Sequence, residues 1–166
     1  MYVFTFRLVV LLIVFCTALL TQPVLANDNF SKLVNKAGMQ RMLSQRMAKA
    51  YFYHGNDILK KDMRMQLKLA IKKFTKNHND LIEKVKDNEI QEILSRVHAN
   101  FAKINTLVTQ PYNKKNAALV LELSETLLQD SHEVALKIEA LSGLNIDHII
   151  NISGKQRMLS QRISKY

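Results

Sequence analysis

Gln40-Arg41-Met42-Leu43-Ser44-Gln45-Arg46 is written twice in this chain, the second time as Gln156-Arg157-Met158-Leu159-Ser160-Gln161-Arg162. Identity reaches outward to Asn35 and Asn151, Gly38 and Gly154, Lys49 and Lys165, so the repeat occupies 35–49 and 151–165. A seven-residue identity within 166 residues is no accident, and an internal repeat is the first thing a fold must explain. Wound on a helix from Gly38 at about 100° per residue, Met42, Met39, Leu43 and Met47 cover one apolar arc. Arg46, at about 80°, lies inside that arc, and Arg41, at about 300°, lies beside Gln45 and Ala48. The second copy repeats the arrangement, with Arg162 between Met158 and Leu159.

The helical reading extends to the rest of the chain. Beyond residue 26 the only helix breakers are Gly38, Gly55, Gly143, Gly154 and Pro111. Valine and isoleucine never alternate as in strands, and apolar residues recur at three and four. Five helical runs follow. The first goes from about Asn29 to Tyr53 and stops at His54-Gly55-Asn56. The second is capped by Asp57 and lasts to about Lys86, with Ile58, Met63, Leu67, Ala70, Ile71, Phe74, Leu81, Ile82 and Val85 inward. The third, to about Thr109, turns Ile90, Ile93, Leu94, Val97, Phe101, Ile104, Leu107 and Val108 inward, and Pro111 breaks it. The fourth spans about Lys114 to Leu141, with Ala117, Val120, Leu121, Leu127, Leu128, Val134, Ala135 and Ile138 on one stripe. Ser142-Gly143 closes it, and the fifth runs from Asn145 to the end. Short connections make neighbours antiparallel. The predicted fold is all-α: an antiparallel up-down four-helix bundle with an additional fifth C-terminal helix.

The start of the chain reads as an address. Arg7 precedes an apolar run from Leu8 to Leu20, and Val24-Leu25-Ala26 forms a small-x-small site. This predicts a signal peptide over 1–26, cleaved after Ala26, and a periplasmic domain over 27–166. The alternative is an uncleaved anchor, for which the run is shorter than the ~20 residues of a span. Cys16, the one cysteine, falls within that run, so the exported part needs no disulfide. Losing Arg7 leaves 23 of the 24 Lys and Arg against 14 acids, a charge of +9. A basic protein suggests nucleic acid, an anionic membrane surface or an anionic ligand, or simply a solvated basic surface. Export argues against nucleic acid.

Asn35-Lys36-Ala37-Gly38-Met39-Gln40-Arg41-Met42-Leu43-Ser44-Gln45-Arg46-Met47-Ala48-Lys49 resembles the signature of the PilJ-type domain. That is the N-terminal, periplasmic domain of type IV pilus methyl-accepting chemotaxis transducers. The stretch is also similar to one in the sensor domain of nitrate/nitrite sensor kinases. The resemblance implies a periplasmic helical bundle that senses a ligand. In the nitrate sensors the first arginine of the stretch binds the anion where two subunits pack helix one against helix one. That role falls on Arg41, with Gly38, Met42, Ser44, Gln45 and Arg46 around it, and by repetition on Arg157, Arg162 and Gly154. In the family the second motif opens a following domain. Here it closes the sequence, with no span, kinase or signalling helix after it, so a membrane-bound signalling partner, a homodimer or a longer chain would carry the signal.

The five histidines His54, His78, His98, His132 and His148 show no metal-ligand spacing, and no di-iron pattern, phosphate loop or nucleophile pairing appears. No catalytic residue, metal or cofactor is expected. Two functions remain: a sensory module for a small oxyanion such as nitrate or nitrite, held by arginine forks, or a non-catalytic structural or protein-interaction module. The first needs arginines without acidic partners. The second needs an acid, such as Glu83, Glu122, Glu125 or Glu133, opposite each. Helices one and five should run parallel with their motifs in phase. Arg41 would then meet Arg157 and Arg46 would meet Arg162, with an anion between to relieve the repulsion.

Overall fold

The computed structural model describes residues 24–143 and 145–163. Of the predicted leader, 1–26, residues 1–23 lie outside them. Five helices follow one another: α1 (Val24–Gly55), α2 (Lys60–Lys84), α3 (Asn88–Thr109), α4 (Lys114–Ser142) and α5 (Asn145–Ile163). No strand occurs among the described residues, and no helix there is long and apolar enough to cross a membrane. α1 begins at Val24, upstream of Asn29, so the expected cleavage point lies within its first turn.

The helix ends follow local chemistry. Asp87 caps α3 by accepting from the Ile90 amide at 3.0 Å, and Asn113 caps α4 by accepting from the Asn116 amide at 2.8 Å. Each such cap stabilises its helix by about 1 kcal/mol. Gly143, at φ +64°, closes α4 in the left-handed region that glycine enters without penalty. The expected cap of α2 by Asp57 is not made. Leu59 occupies that position at φ +46°, with no side-chain cap, and Asp57 accepts from Lys60 instead. The chain between α1 and α2 is too short to turn without two left-handed residues, Asp57 and Leu59.

α1 is the centre of the molecule. It packs against α2, α4 and α5, while α3 packs chiefly on α4. Lys36 pairs with Asp80, Gln45 donates to the Ser124 carbonyl, and Arg96 pairs with Glu133. These contacts set the α1–α2, α1–α4 and α3–α4 pairs antiparallel. α3 meets α2 through rings: Phe74 stacks on Phe101 at 4.4 Å, and His78 on His98 at 5.4 Å. The core runs through Val34, Leu43, Met47, Phe74, Leu81, Leu94, Ile104, Leu127 and Ile138, all essentially inaccessible.

Two residues expected inward point outward. Ile58 is 49% exposed in the α1–α2 turn, and Ile82 is 38% exposed beside the buried Leu81. Conversely Asn77, His78, Ser124 and Ser131 are buried on stripes read as apolar. Gly55 serves close packing: a Cβ there would lie 2.0 Å from the Tyr112 ring.

α5 lies along α1 and parallel to it. Ser31 donates to Asp147 across an offset of 116 residues, and Gly38 faces Gly154 at the same offset. That offset is the spacing of the two heptads, so the repeated sequences pair in register.

Candidate functional site

The two glycines make the α1–α5 crossing. A Cβ built on Gly154 would sit 3.4 Å from the Gly38 Cα, and one on Gly38 would sit 3.8 Å from the Gly154 Cα. The close approach leaves a passage that the Arg41 guanidinium fills. Its Nη2 would be 3.1 Å from a Cβ at Gly38 and 2.9 Å from one at Gly154. At Gly154 a methyl group would intrude on the volume the arginine occupies, and at Gly38 it would be tight against the same guanidinium.

Arg41 is wholly inaccessible. Nη2 donates to the Asn151 carbonyl at 2.9 Å, and Nη1 lies 2.8 Å from His132 Nδ1. A guanidinium has no acceptor, so Nδ1 must accept and the His132 proton sits on Nε2. The Arg41 Nε has no partner. No carboxylate among the described residues forms an ion pair with this cation. Glu139 acts on it only at a distance, and itself bonds Asn151 Nδ2 and His148 Nδ1. Burial pulls the Arg41 guanidinium down from its ordinary value to about 10; Glu139 counteracts this and Arg157 adds to it. His132 is likewise held below its ordinary value, first by burial, then by Arg41 and Lys155.

Arg157 is the counterpart of Arg41 and stands on the open side of the crossing. It is exposed, and its Nη2 donates to Asn35 Oδ1 at 3.1 Å. The two arginines thus reach across reciprocally, Arg41 to Asn151 and Arg157 to Asn35. Arg157 lines a cleft with Ser31, Lys32, Asn35 and Ser153, between α1 and the α5 residues Ile149 and Ile150. Guanidinium, ammonium and amide groups line it, a set suited to oxyanions, while the Ser31 and Ser153 hydroxyls donate to Asp147 and to the Ile149 carbonyl.

The other sequence-predicted residues go elsewhere. Met42 is half-buried against the core. Ser44 donates to its own helix at the Arg41 carbonyl, and Gln45 bonds α4. Arg46, which the helical wheel placed in the apolar arc, is only partly buried and faces α2. Gln40, Arg41, Ser44 and Gln45 are fully buried instead. The reason is that α1 is covered by three helices, so its polar face is enclosed under α4 and α5. The expected meeting of Arg46 with Arg162 does not occur, because Arg162 pairs with Glu125 at 2.9 Å. Asn35, Asn151 and His132 are site residues that sequence reasoning missed. The paired asparagines carried a signal, since each stands six residues before an arginine in both copies. His132, on another helix, carried none.

Among the described residues, no group of three or more His, Cys, Asp or Glu is placed to hold a metal ion. A family model for PilJ, described as type IV pili methyl-accepting chemotaxis transducer N-term, matches residues 26–134. The match takes in the first heptad and ends before the second. No curated protein and no solved structure matches the chain.

Proposed function

The chain belongs to the PilJ family of type IV pilus methyl-accepting chemotaxis transducer N-terminal domains, and from that premise we propose that it is a periplasmic sensory module binding a small oxyanion at the α1–α5 crossing. It is a binding module without chemistry of its own. The observation that carries the reading is the Arg41 guanidinium: fully buried, facing Arg157, and without an ion-paired carboxylate. A buried cation whose opposing charge, Glu139, acts only from a distance carries a desolvation cost. Arg157, an exposed cation at the same crossing, repels it as well. An anion seated there offsets both costs. A planar oxyanion such as nitrate or nitrite matches the guanidinium fork, which a compact ammonium would not reproduce. Arg157, with Lys32, Asn35 and Ser153, offers the entry from solvent. Binding would tie α5 to α1, and the tilt of α5 is then the quantity a signalling partner reads. Export through the leader, with cleavage after Ala26, belongs to the same proposal and would put the site in the periplasm.

Isothermal calorimetry with nitrate and nitrite tests this. Saturable binding is expected, lost in Arg41→Lys and weakened in Arg157→Gln, with both variants checked for folding. No heat from any common oxyanion in dilute buffer would sink it. The second reading, a structural or interaction module with internal ion pairs, is favoured at one place only: Arg162 on Glu125.

A further inference from the structure

Away from the crossing, a groove between α1 and α2 gathers cations. Leu43, Leu69 and Ala70 line it, and Arg46, Lys72, Lys73 and Lys76 surround it. None of these four cations forms an ion pair among the described residues. The Arg46 Nε is buried in the groove without a hydrogen-bond partner. Asp80, which Lys76 approaches, is already paired with Lys36.

The groove opens onto the outer face of α2. From Lys60 to Lys76 that helix carries Lys60, Lys61, Arg64, Lys68, Lys72, Lys73 and Lys76 against the single acid Asp62. Apolar side chains stand among the lysines. Met65 is 57% exposed and Leu69 58%. One turn apart, they form a line with Lys61 and Lys72. The α1–α2 turn extends that line with Ile58 and Leu59, also exposed. Unpaired like charges repel, and large apolar groups in water are unfavourable. An anionic lipid surface relieves both, because phosphates meet the lysines while apolar side chains enter the boundary beneath the headgroups. The apolar residues are set singly between cations rather than gathered into one patch. A fluid headgroup layer accommodates that arrangement, whereas a fixed acidic protein surface would need a matching pocket for each.

We propose that α2 lies against an anionic phospholipid surface, with a headgroup phosphate in the α1–α2 groove between Arg46 and Lys72, Lys73 and Lys76. This surface is separate from the oxyanion crossing and stands or falls independently of it. The test is co-flotation of the protein with phosphatidylcholine vesicles, with and without phosphatidylglycerol. Binding is expected only with phosphatidylglycerol. It should weaken roughly a hundredfold in the triple variant Lys72→Gln, Lys73→Gln, Lys76→Gln, since each surface cation contributes about a factor of five. Met65→Ser with Leu69→Ser should weaken it at unchanged charge. Equal binding to phosphatidylcholine alone, no binding to either vesicle, or undiminished binding by the triple variant overturns the proposal. Inorganic phosphate, compared with chloride at equal ionic strength, separates lipid from free anion. Phosphate that binds the vesicle-free protein, with no flotation of the protein on phosphatidylglycerol vesicles, would assign the groove to a free anion and refute the lipid surface.

Discussion

In α1 the heptad buries Gln40, Arg41, Ser44 and Gln45 completely, whereas in α5 Gln156, Arg157 and Ser160 are exposed and Gln161 is half-exposed. Leu43 is 1% exposed and its counterpart Leu159 is 39% exposed. The seven residues are the same, so their chemistry cannot account for the difference. The neighbours do: α1 is enclosed by α2, α4 and α5, whereas α5 rests on α1 and touches α4 lightly. Only the glycine crossing, to which both copies contribute equally, is symmetric. Burial is thus a property of what surrounds a sequence, and one motif can supply a buried guanidinium and an open one to the same site.

The largest effect that would break this comparison lies at its symmetric point. Gly154→Val should cost about 3 kcal/mol or more in thermal unfolding, because the branched side chain meets the Gly38 backbone and the Arg41 guanidinium. Gly38→Ala should be far milder. Its new methyl meets Arg41 Nη2 at 3.1 Å, a contact relieved by a shift of a few tenths of an ångström, and alanine recovers up to about 1 kcal/mol of helix propensity. An equal loss for Gly154→Val and Gly38→Ala would show that the crossing is not closed by Arg41.

Next in size are the arginines themselves. Arg41→Ala leaves a cavity and strands His132 Nδ1 and the Asn151 carbonyl, so unfolding should lose about 2–4 kcal/mol. Arg157→Ala, exposed, should stay within about 0.5 kcal/mol. Similar values for the two would mean that the copies are equally enclosed in solution.

Acid sharpens the same contrast. His132 has a folded-state pKa below its unfolded value, so its stabilising contribution is complete above the ordinary histidine range. That contribution is lost as pH falls through it, when the imidazolium would face Arg41 and Lys155 with Glu139 as the opposing charge. Denaturant titrations from neutral pH to pH about 5 should show a decline that is reduced in His132→Gln, which keeps an acceptor for Arg41. An unchanged decline would place the acid sensitivity elsewhere. A small effect is expected at the outer end of the second copy. Arg162→Ala breaks a half-exposed pair with Glu125 and should cost about 0.2–1 kcal/mol, less at high salt.

The helices were legible because their punctuation is local: Gly143, Asp87 and Pro111 state where the chain must stop or start. The register of α1 against α5 was legible too, since a repeat at fixed spacing brings its own partner. What escaped the sequence was the third dimension of α1. A wheel shows which face is apolar, and here three helices cover the polar face as well, so Arg41 rather than Arg46 is the enclosed arginine. The buried polar residues of α2 and α4 escaped for a related reason. Ser124 stands opposite Gln45, and only the α1–α4 register reveals that pairing. Leu59 at φ +46° was unreadable because the short α1–α2 connection holds it in a region that leucine rarely enters.

The central position of α1 has a kinetic side. Its neighbour in sequence, α2, can dock as soon as it is made. Its other two partners lie far along the chain, and Asn151 meets Arg41 only across 110 residues. Closing so long a loop is entropically slow relative to making local hairpins. The order implied is α1 on α2 and α3 on α4 first, the two hairpins next, and α5 last. Until α5 arrives Arg41 remains hydrated, and the charge is enclosed in the final step rather than carried through collapse.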